Sequence, residues 1–222
     1  MGETADLRQP DSGFRPLVAF DFDGTLTCRD SFVAFLQWRA GLRRFALGVA
    51  RLGPASLRYL SHPDRGRLKE ACVREFLAGV PKSELDAEAH AFAIRNARPL
   101  LRRDALRAWR RWQADGARLV IVTASPEPLV APFARGLGAD LLIGTRLETD
   151  DQGRLTGKLA GPNCRGPEKV RRLREAFGED VWLQAAYGDS DGDREMLELA
   201  ELKGMKAFNG AGEAGGPDWE AA

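Results

Sequence analysis

Leu17-Val-Ala-Phe20 runs directly into Asp21-Phe-Asp-Gly-Thr-Leu-Thr27, and this junction constrains the fold more than any other stretch. Four apolar residues in a row have the length of a buried strand. Along an extended chain, alternation sends Asp21 and Asp23 to one side and Phe22 to the other. Gly24 then permits a sharp turn, and Thr25 adds a hydroxyl. Two carboxylates crowded at the end of a buried strand repel each other unless a cation or a proton holds them together. The junction therefore predicts a divalent-cation site.

The rest of the chain is compatible with a core large enough to bury such a strand. Of the 222 residues, 44% are hydrophobic and 29% charged, the balance of an ordinary globule, either one large domain or a core with an insert. Cys28, Cys72 and Cys164 are odd in number and show no ligand spacing, which points to a reducing compartment. Met1 to Phe14 is polar, unlike a signal peptide, and no apolar run approaches the ~18 residues that span a bilayer. A cytoplasmic location is expected. Between Arg29 and Arg118 there are 17 Arg, 2 Lys and 9 acids, a balance of +10, against +1 for the whole chain. A basic block beside acidic motifs suits an anionic substrate. Few aromatics interleave these arginines, so nucleic acid is not an expected partner.

Residues 30–97 read as helical throughout. Asp30 or Ser31 is placed to cap a first helix, Gly53-Pro54 and His62-Pro63-Asp64 interrupt the pattern, and a further helix follows from Asp64 to Leu77. Another opens at Lys82 or Ser83 and reaches about Ala97. From Pro99, Leu100, Leu101, Leu106, Trp109 and Trp112 predict an amphipathic helix stopped by Asp115-Gly116. Buried strands are expected at Arg118–Thr123, within Gly136–Ile143, at Trp182–Tyr187 and at Gly204–Phe208, with a hairpin over 145–160. Strand and helix alternate outside the insert, which predicts an α/β, doubly wound (Rossmann-like) parallel sheet. The expected organisation is a core of 1–29 and 98–210, an all-helical insert of 30–97, and a Gly- and Ala-rich tail of 211–222. Ligands of such sheets collect beyond the carboxyl ends of the strands, where Asp21 and Thr123 lie.

Asp21-Phe-Asp-Gly-Thr-Leu-Thr resembles the first motif of the haloacid dehalogenase superfamily. Three later stretches match in order: Val120-Ile-Val-Thr-Ala-Ser-Pro126, Asn163-Cys-Arg-Gly-Pro-Glu-Lys169, and Gly188-Asp-Ser-Asp-Gly-Asp193. The resemblance implies a phosphatase that works through an aspartyl-phosphate intermediate, with Asp21 as nucleophile and Asp23 as general acid and base. It further implies a phosphate contact from the Thr123 hydroxyl and from the backbone N–H groups of Ala124 and Ser125. Lys169, with Arg165 as rival, would balance charge. Mg2+ would be held by Asp21, Asp189 and the backbone carbonyl of Asp23, supported by Asp193, with Asp191 facing solvent. The helical insert after the first motif is similar to the cap of the phosphoserine-phosphatase-like branch. In that branch an acid after the first motif and a cap arginine recognise an amino acid, roles that fall to Asp30 and Arg74. Thr-Ala-Ser in place of Ser-Gly-Gly, and Asp in place of Glu, keep other small phosphorylated metabolites open, histidinol phosphate among them. A phosphatidylglycerophosphate-type headgroup, a phosphotransferase reaction and a non-hydrolytic phosphate-binding regulator are the alternatives. A calcium loop at Asp189, Asp191 and Asp193 is excluded, because Arg194 stands where the loop needs Gly and Ala200 where it needs Glu.

Overall fold

The computed structural model describes residues 15–53 and 65–210. Five parallel strands form the central sheet in the order β3-β2-β1-β6-β7. These are β1 (Leu17–Phe20), β2 (Arg118–Pro126), β3 (Leu141–Thr145), β6 (Leu183–Gly188) and β7 (Ala200–Met205). The chain steps outward from β1 through β2 to β3, then returns to the other side of β1 for β6 and β7. The reversal opens a crevice at the carboxyl ends of β1 and β6, the expected ligand position of an open parallel sheet. Alternation divides the sheet residues between two cores. Val18 and Phe20 face helices α4 (Arg103–Ala114) and α5 (Glu127–Leu137), while Ala19, Val120 and Val122 face α6 (Pro167–Phe177) and α7 (Arg194–Glu198). The doubly wound parallel sheet is as expected.

Among the described residues, three helices stand between β1 and α4: α1 (Ser31–Arg51), α2 (Arg65–Leu77) and α3 (Lys82–Leu100). The Asp30 carboxylate caps α1 by accepting from the Val33 N–H at 2.8 Å. Gly41, at φ 71°, kinks α1 midway. The breaks foreseen at Gly53-Pro54 and His62-Pro63-Asp64 fall at the edge of, or outside, the described residues, as does the tail.

Three features seat these helices over the sheet. The two crossings of the chain lie side by side: the Cys28 N–H donates to the Leu100 carbonyl and the Arg102 N–H to the Leu26 carbonyl, each at 2.8 Å. An aromatic column rises from Phe22 to Phe133 (5.3 Å between centroids), Phe92 (6.2 Å) and Phe35 (5.5 Å), joining the turn after β1 to α5, α3 and α1. The hairpin of β4 (Leu147–Thr149) and β5 (Leu155–Leu159) supplies the third. Its second strand pairs with the α2–α3 connection, Gly79 N–H donating to the Leu155 carbonyl at 2.7 Å and Leu155 N–H to the Val80 carbonyl at 2.9 Å.

Several local expectations are corrected. Helix α3 runs three residues past Ala97 to Leu100, with Pro99 in its last turn, so Leu100 and Leu101 do not belong to the following helix. Leu100 is fully buried, and that packing outweighs the proline's tendency to open a new helix. Strand β2 extends beyond Thr123 to Pro126, and β3 reaches Thr145. The last strand is Ala200–Met205, earlier than Gly204–Phe208, because it pairs with β6 from Leu183 to Gly188. Pairing to a neighbour, which single-strand composition does not contain, sets those ends.

Gly157 marks where the hairpin meets α2. Its φ is 89°, and an added Cβ would stand 3.1 Å from the Arg74 Cα. Gly157→Val should therefore lower the thermal midpoint by several degrees, on the order of 2 kcal/mol of strain and displaced packing. Differential scanning fluorimetry checks this.

Candidate active site

Asp21 follows the last residue of β1, and its N–H donates to the Tyr187 carbonyl of β6 at 2.8 Å. The chain does not continue as a strand. Phe22–Leu26 forms a single wide turn, closed by the Thr27 N–H donating to the Phe22 carbonyl at 2.9 Å. Both carboxylates line the same cleft, but this turn brings them there rather than strand alternation. Phe22 is fully buried and starts the aromatic column. Gly24 has φ 80°, and a Cβ there would lie 2.1 Å from Asp189 Oδ2, so a side chain at 24 would strike the loop after β6.

Lys169 reaches the cleft from the first turn of α6 and is 1% exposed. Its ammonium donates to Asp21 Oδ1, Asp193 Oδ1 and the Val122 carbonyl, each at 2.6 Å. Burial works against its charge, yet Asp21 and Asp193 hold its pKa above that of an ordinary lysine. Its rival Arg165 does not make this contact and donates to Ser190 Oγ at 3.2 Å. Asp193 also accepts from the N–H groups of Asp189 (3.2 Å) and Ser190 (3.0 Å), which pins the loop after β6. Despite burial, Lys169 and these donors pull the Asp193 carboxyl below its usual range. Burial pushes Asp21 the other way, to about 7, with Asp193 and Asp23 adding to the rise and Lys169 opposing it. Asp189 is raised by its burial and by Asp193. Asp191 is exposed and pairs with Arg194.

Oxygen atoms of Asp21, Asp189 and Asp193 lie within 4.8 Å of one another. An all-oxygen set suits a hard divalent cation, and burial, followed by the neighbouring carboxylates, raises Asp21 and Asp189 in a way that such an ion would offset. The residues fit such an ion.

Asp23 is held from two sides. Its Oδ1 accepts from the Ser31 N–H at 2.7 Å, and its Oδ2 accepts from Ser125 Oγ at 2.5 Å. Burial first, and then Asp30, raise its pKa, while the Ser125 and Ser31 contacts lower it. Within the last four residues of β2, Thr123 Oγ1 accepts from the Ser125 N–H at 3.0 Å. The Ser125 N–H is thus engaged with Thr123 and is not the free anion donor expected of it; the residue faces the site through its hydroxyl. Thr123, Ala124 and Asp30 all line the cleft, which has a volume of about 610 Å³.

Arg74 does not line it. Its guanidinium pairs with Glu70 at 3.0 Å, one turn back on α2, and is largely exposed. At about 100° per residue, Arg74 stands some 140° around the helix from Lys69. Lys69 is the α2 cation that enters the cleft, donating to the Ala124 carbonyl and to Asn163 Oδ1 at 3.0 Å. Thr145 Oγ1 donates to the same Ala124 carbonyl at 2.6 Å. Burial lowers the Lys69 pKa to about 8, against the pull of Asp23 and Asp30. Nothing local in the sequence distinguished Lys69 or Asn163, because the contact joins positions 94 residues apart.

With this geometry in view, comparison with known proteins gives the class. Residues 18–198 match the haloacid dehalogenase-like hydrolase family. The chain belongs to that family, and within it to the phosphoserine-phosphatase-like branch. It is 59% identical over 199 residues to Protein CicA of Caulobacter vibrioides, covering 89% of each chain. It is 32% identical over 189 residues to a phosphoserine phosphatase of Halobacterium salinarum, covering 83% of this chain and 82% of the other. Among solved structures it is similar to a Bordetella pertussis Tohama I protein, with a TM-score of 0.70, 29% identity, and 83% and 86% of the two chains covered.

Two outcomes follow from the site. Without metal, Asp21 has a folded-state pKa near 7 against 3.8 for the free group, so its penalty on stability is absent below pH 4 and complete above pH 7. In EDTA, Asp21→Asn should melt higher than wild type at pH 8, by more than about 3 °C, with the advantage vanishing toward pH 4. Thermal melts across that pH range test it. Secondly, Lys69→Ala should raise KM for a phosphate ester by about tenfold or more, because one side of the cleft loses its tie to the Ala124 carbonyl. Arg74→Ala should change KM by less than about twofold. Steady-state kinetics of the two variants separates them.

Proposed function

We propose that this haloacid dehalogenase-type phosphatase hydrolyses the phosphomonoester of a small anionic metabolite through a phosphorylated Asp21. The observation that supports this best is the position of Lys169, bonded at once to Asp21 and Asp193 at the mouth of the sheet crevice. A nucleophilic carboxylate must approach a phosphate of like charge, and a fixed buried cation beside it offsets that repulsion. In this reading Asp21 attacks phosphorus. Asp23 protonates the departing alcohol, then takes a proton from the water that cleaves the acyl phosphate. The Thr123 hydroxyl and the Ala124 N–H receive phosphoryl oxygens. Asp21, Asp189 and the Asp23 backbone carbonyl would hold Mg2+, with Asp193 in support, and the ion would supply Lewis-acid charge neutralisation.

Charge supports a single phosphomonoester. The cleft is lined by five cations, Arg29, Lys69, Arg102, Arg165 and Lys169, and by five carboxylates, Asp21, Asp23, Asp30, Asp189 and Asp193. A divalent cation and a phosphate dianion leave that balance unchanged. Asp30 and Lys69, of opposite sign on the helical side of the cleft, suit a substrate with an amino and an acidic group, such as a phosphorylated amino acid. A second reading, a lipid headgroup, rests on the exposed apolar residues of α1, Leu42 (72%), Leu47 (60%) and Val49 (47%). Among the described residues no helix is long and apolar enough to cross a membrane.

Phosphate release from a panel of phosphorylated amino acids, histidinol phosphate, sugars, nucleotides and glycerophosphate headgroups is the test. Turnover should require Mg2+, stop in EDTA, and be lost in Asp21→Asn while that variant stays folded. Activity retained by Asp21→Asn excludes it as nucleophile. Inertness of the whole panel, generic esters included, would favour a phosphate-binding regulator, and product phosphorylated at an added alcohol would favour phosphotransfer.

A further inference from the structure

Ser125 occupies a position whose backbone the sequence motif suggested for phosphate binding, and the structure gives it different work. It is 2% exposed, its N–H is engaged by Thr123 Oγ1, and its hydroxyl donates to Asp23 Oδ2. The other Asp23 oxygen accepts from the N–H of Ser31, the first residue of α1. Asp23 itself sits in the wide turn after β1, beside Gly24 at φ 80° and with non-helical dihedrals of its own, so the turn's backbone alone does not lock its side chain. Two donors on different elements do: one on strand β2, beside β1 in the sheet, and one on the helices that follow the turn.

We infer that Ser125 is a positioning residue for proton transfer, orienting the Asp23 carboxyl toward the oxygen of the leaving alcohol rather than binding phosphate. The inference rests on the phosphatase reading above. In the first half-reaction Asp21 Oδ forms a bond to phosphorus as the bond from phosphorus to the ester oxygen breaks. The electron pair of that bond stays on the ester oxygen, which takes the Asp23 proton and departs as an alcohol. Ser125 gives up no atom: its O–H points to Asp23 Oδ2, leaving the carboxyl one fixed orientation from which to donate. Loss of that contact leaves Asp23 present but free to rotate about its side-chain bonds, held by Ser31 alone.

The consequence depends on the leaving group, which separates it from a loss of phosphate affinity or of fold. An alkoxide is strongly basic and needs its proton as it departs, whereas 4-nitrophenolate is weakly basic and does not. The measurement is kcat/KM, which covers steps only through the first irreversible one, for an alkyl phosphomonoester and for 4-nitrophenyl phosphate. Ser125→Ala should lower the alkyl-to-aryl ratio of kcat/KM at least about tenfold, within the range a general acid contributes. Ser125→Thr, which keeps the hydroxyl, should restore the ratio to within about threefold of wild type. If the alanine variant does not fold, Ser125→Cys, a weaker donor of similar size, should shift the ratio in the same direction. An unchanged ratio, with both esters slowed equally or neither slowed, overturns the inference and leaves the phosphatase reading intact. A wild-type enzyme inert toward the whole panel, 4-nitrophenyl phosphate included, overturns both.

Discussion

The buried ammonium of Lys169 holds the site together, and much of the surrounding structure follows from the need to keep it charged in a dry place. An unpaired ammonium there would be expelled or neutralised. Here it meets Asp21, Asp193 and the Val122 carbonyl, three acceptors from β1, the loop after β6 and β2. The lysine thus ties α6 to three adjacent parts of the sheet. Removing the lysine would leave Asp21 and Asp193 buried without their cation, a change that typically costs about 3–5 kcal/mol, whereas Asp193 still partners the lysine when Asp21 loses its charge. The same arrangement leaves Asp21 with its pKa raised, so the site carries an electrostatic cost that a cation or a proton relieves. Stability is given up where charge must later be handled.

A second dependence runs through Phe22 and Asp23. Phe22 buries its ring at the foot of the aromatic column, while the next residue turns its carboxylate into the cleft, between a donor of β2 and a donor of α1. One short turn therefore both starts the packing of the helical layer and delivers the Asp23 carboxylate to the two donors that hold it. The hairpin and Lys69 complete the attachment, the first by backbone pairing to the α2–α3 connection and the second by reaching the carbonyl of Ala124. Any substrate has to fit beneath helices that are tied to the sheet by polar contacts at the cleft itself.

Much of this was legible in the chain. The stretches Leu17–Phe20, Arg118–Thr123 and Trp182–Tyr187 are mostly apolar, too short for helices and followed by small or acidic residues, so strands and strand-end chemistry followed from local pattern. The helical insert was legible from apolar periodicity, and the α1 cap from Asp30. What failed was of another kind. Pro99 has the look of a helix start, and only the burial of Leu100 explains why α3 carries through it. Arg74 and Lys69 are both basic residues of one helix, and choosing between them needs to know which face meets the cleft. The Ser125 N–H and hydroxyl were equally available until the Thr123 rotamer engaged the first and Asp23 the second.

The division has a physical basis. Covalent spacing and side-chain chemistry act over a few residues, and they determined where strands lie, which carboxylates follow them, and that a basic helical stretch would lie between the first and second motifs. Hydrogen-bond partners, exposure and pKa depend on atoms brought together from positions far apart in the chain. Lys169 meets Asp21 across 148 residues, and Ser125 meets Asp23 across 102. Those pairings exist only after the sheet has closed its order around β1, so tertiary structure alone decided that Lys169 rather than Arg165 meets Asp21, and that the Ser125 hydroxyl meets Asp23.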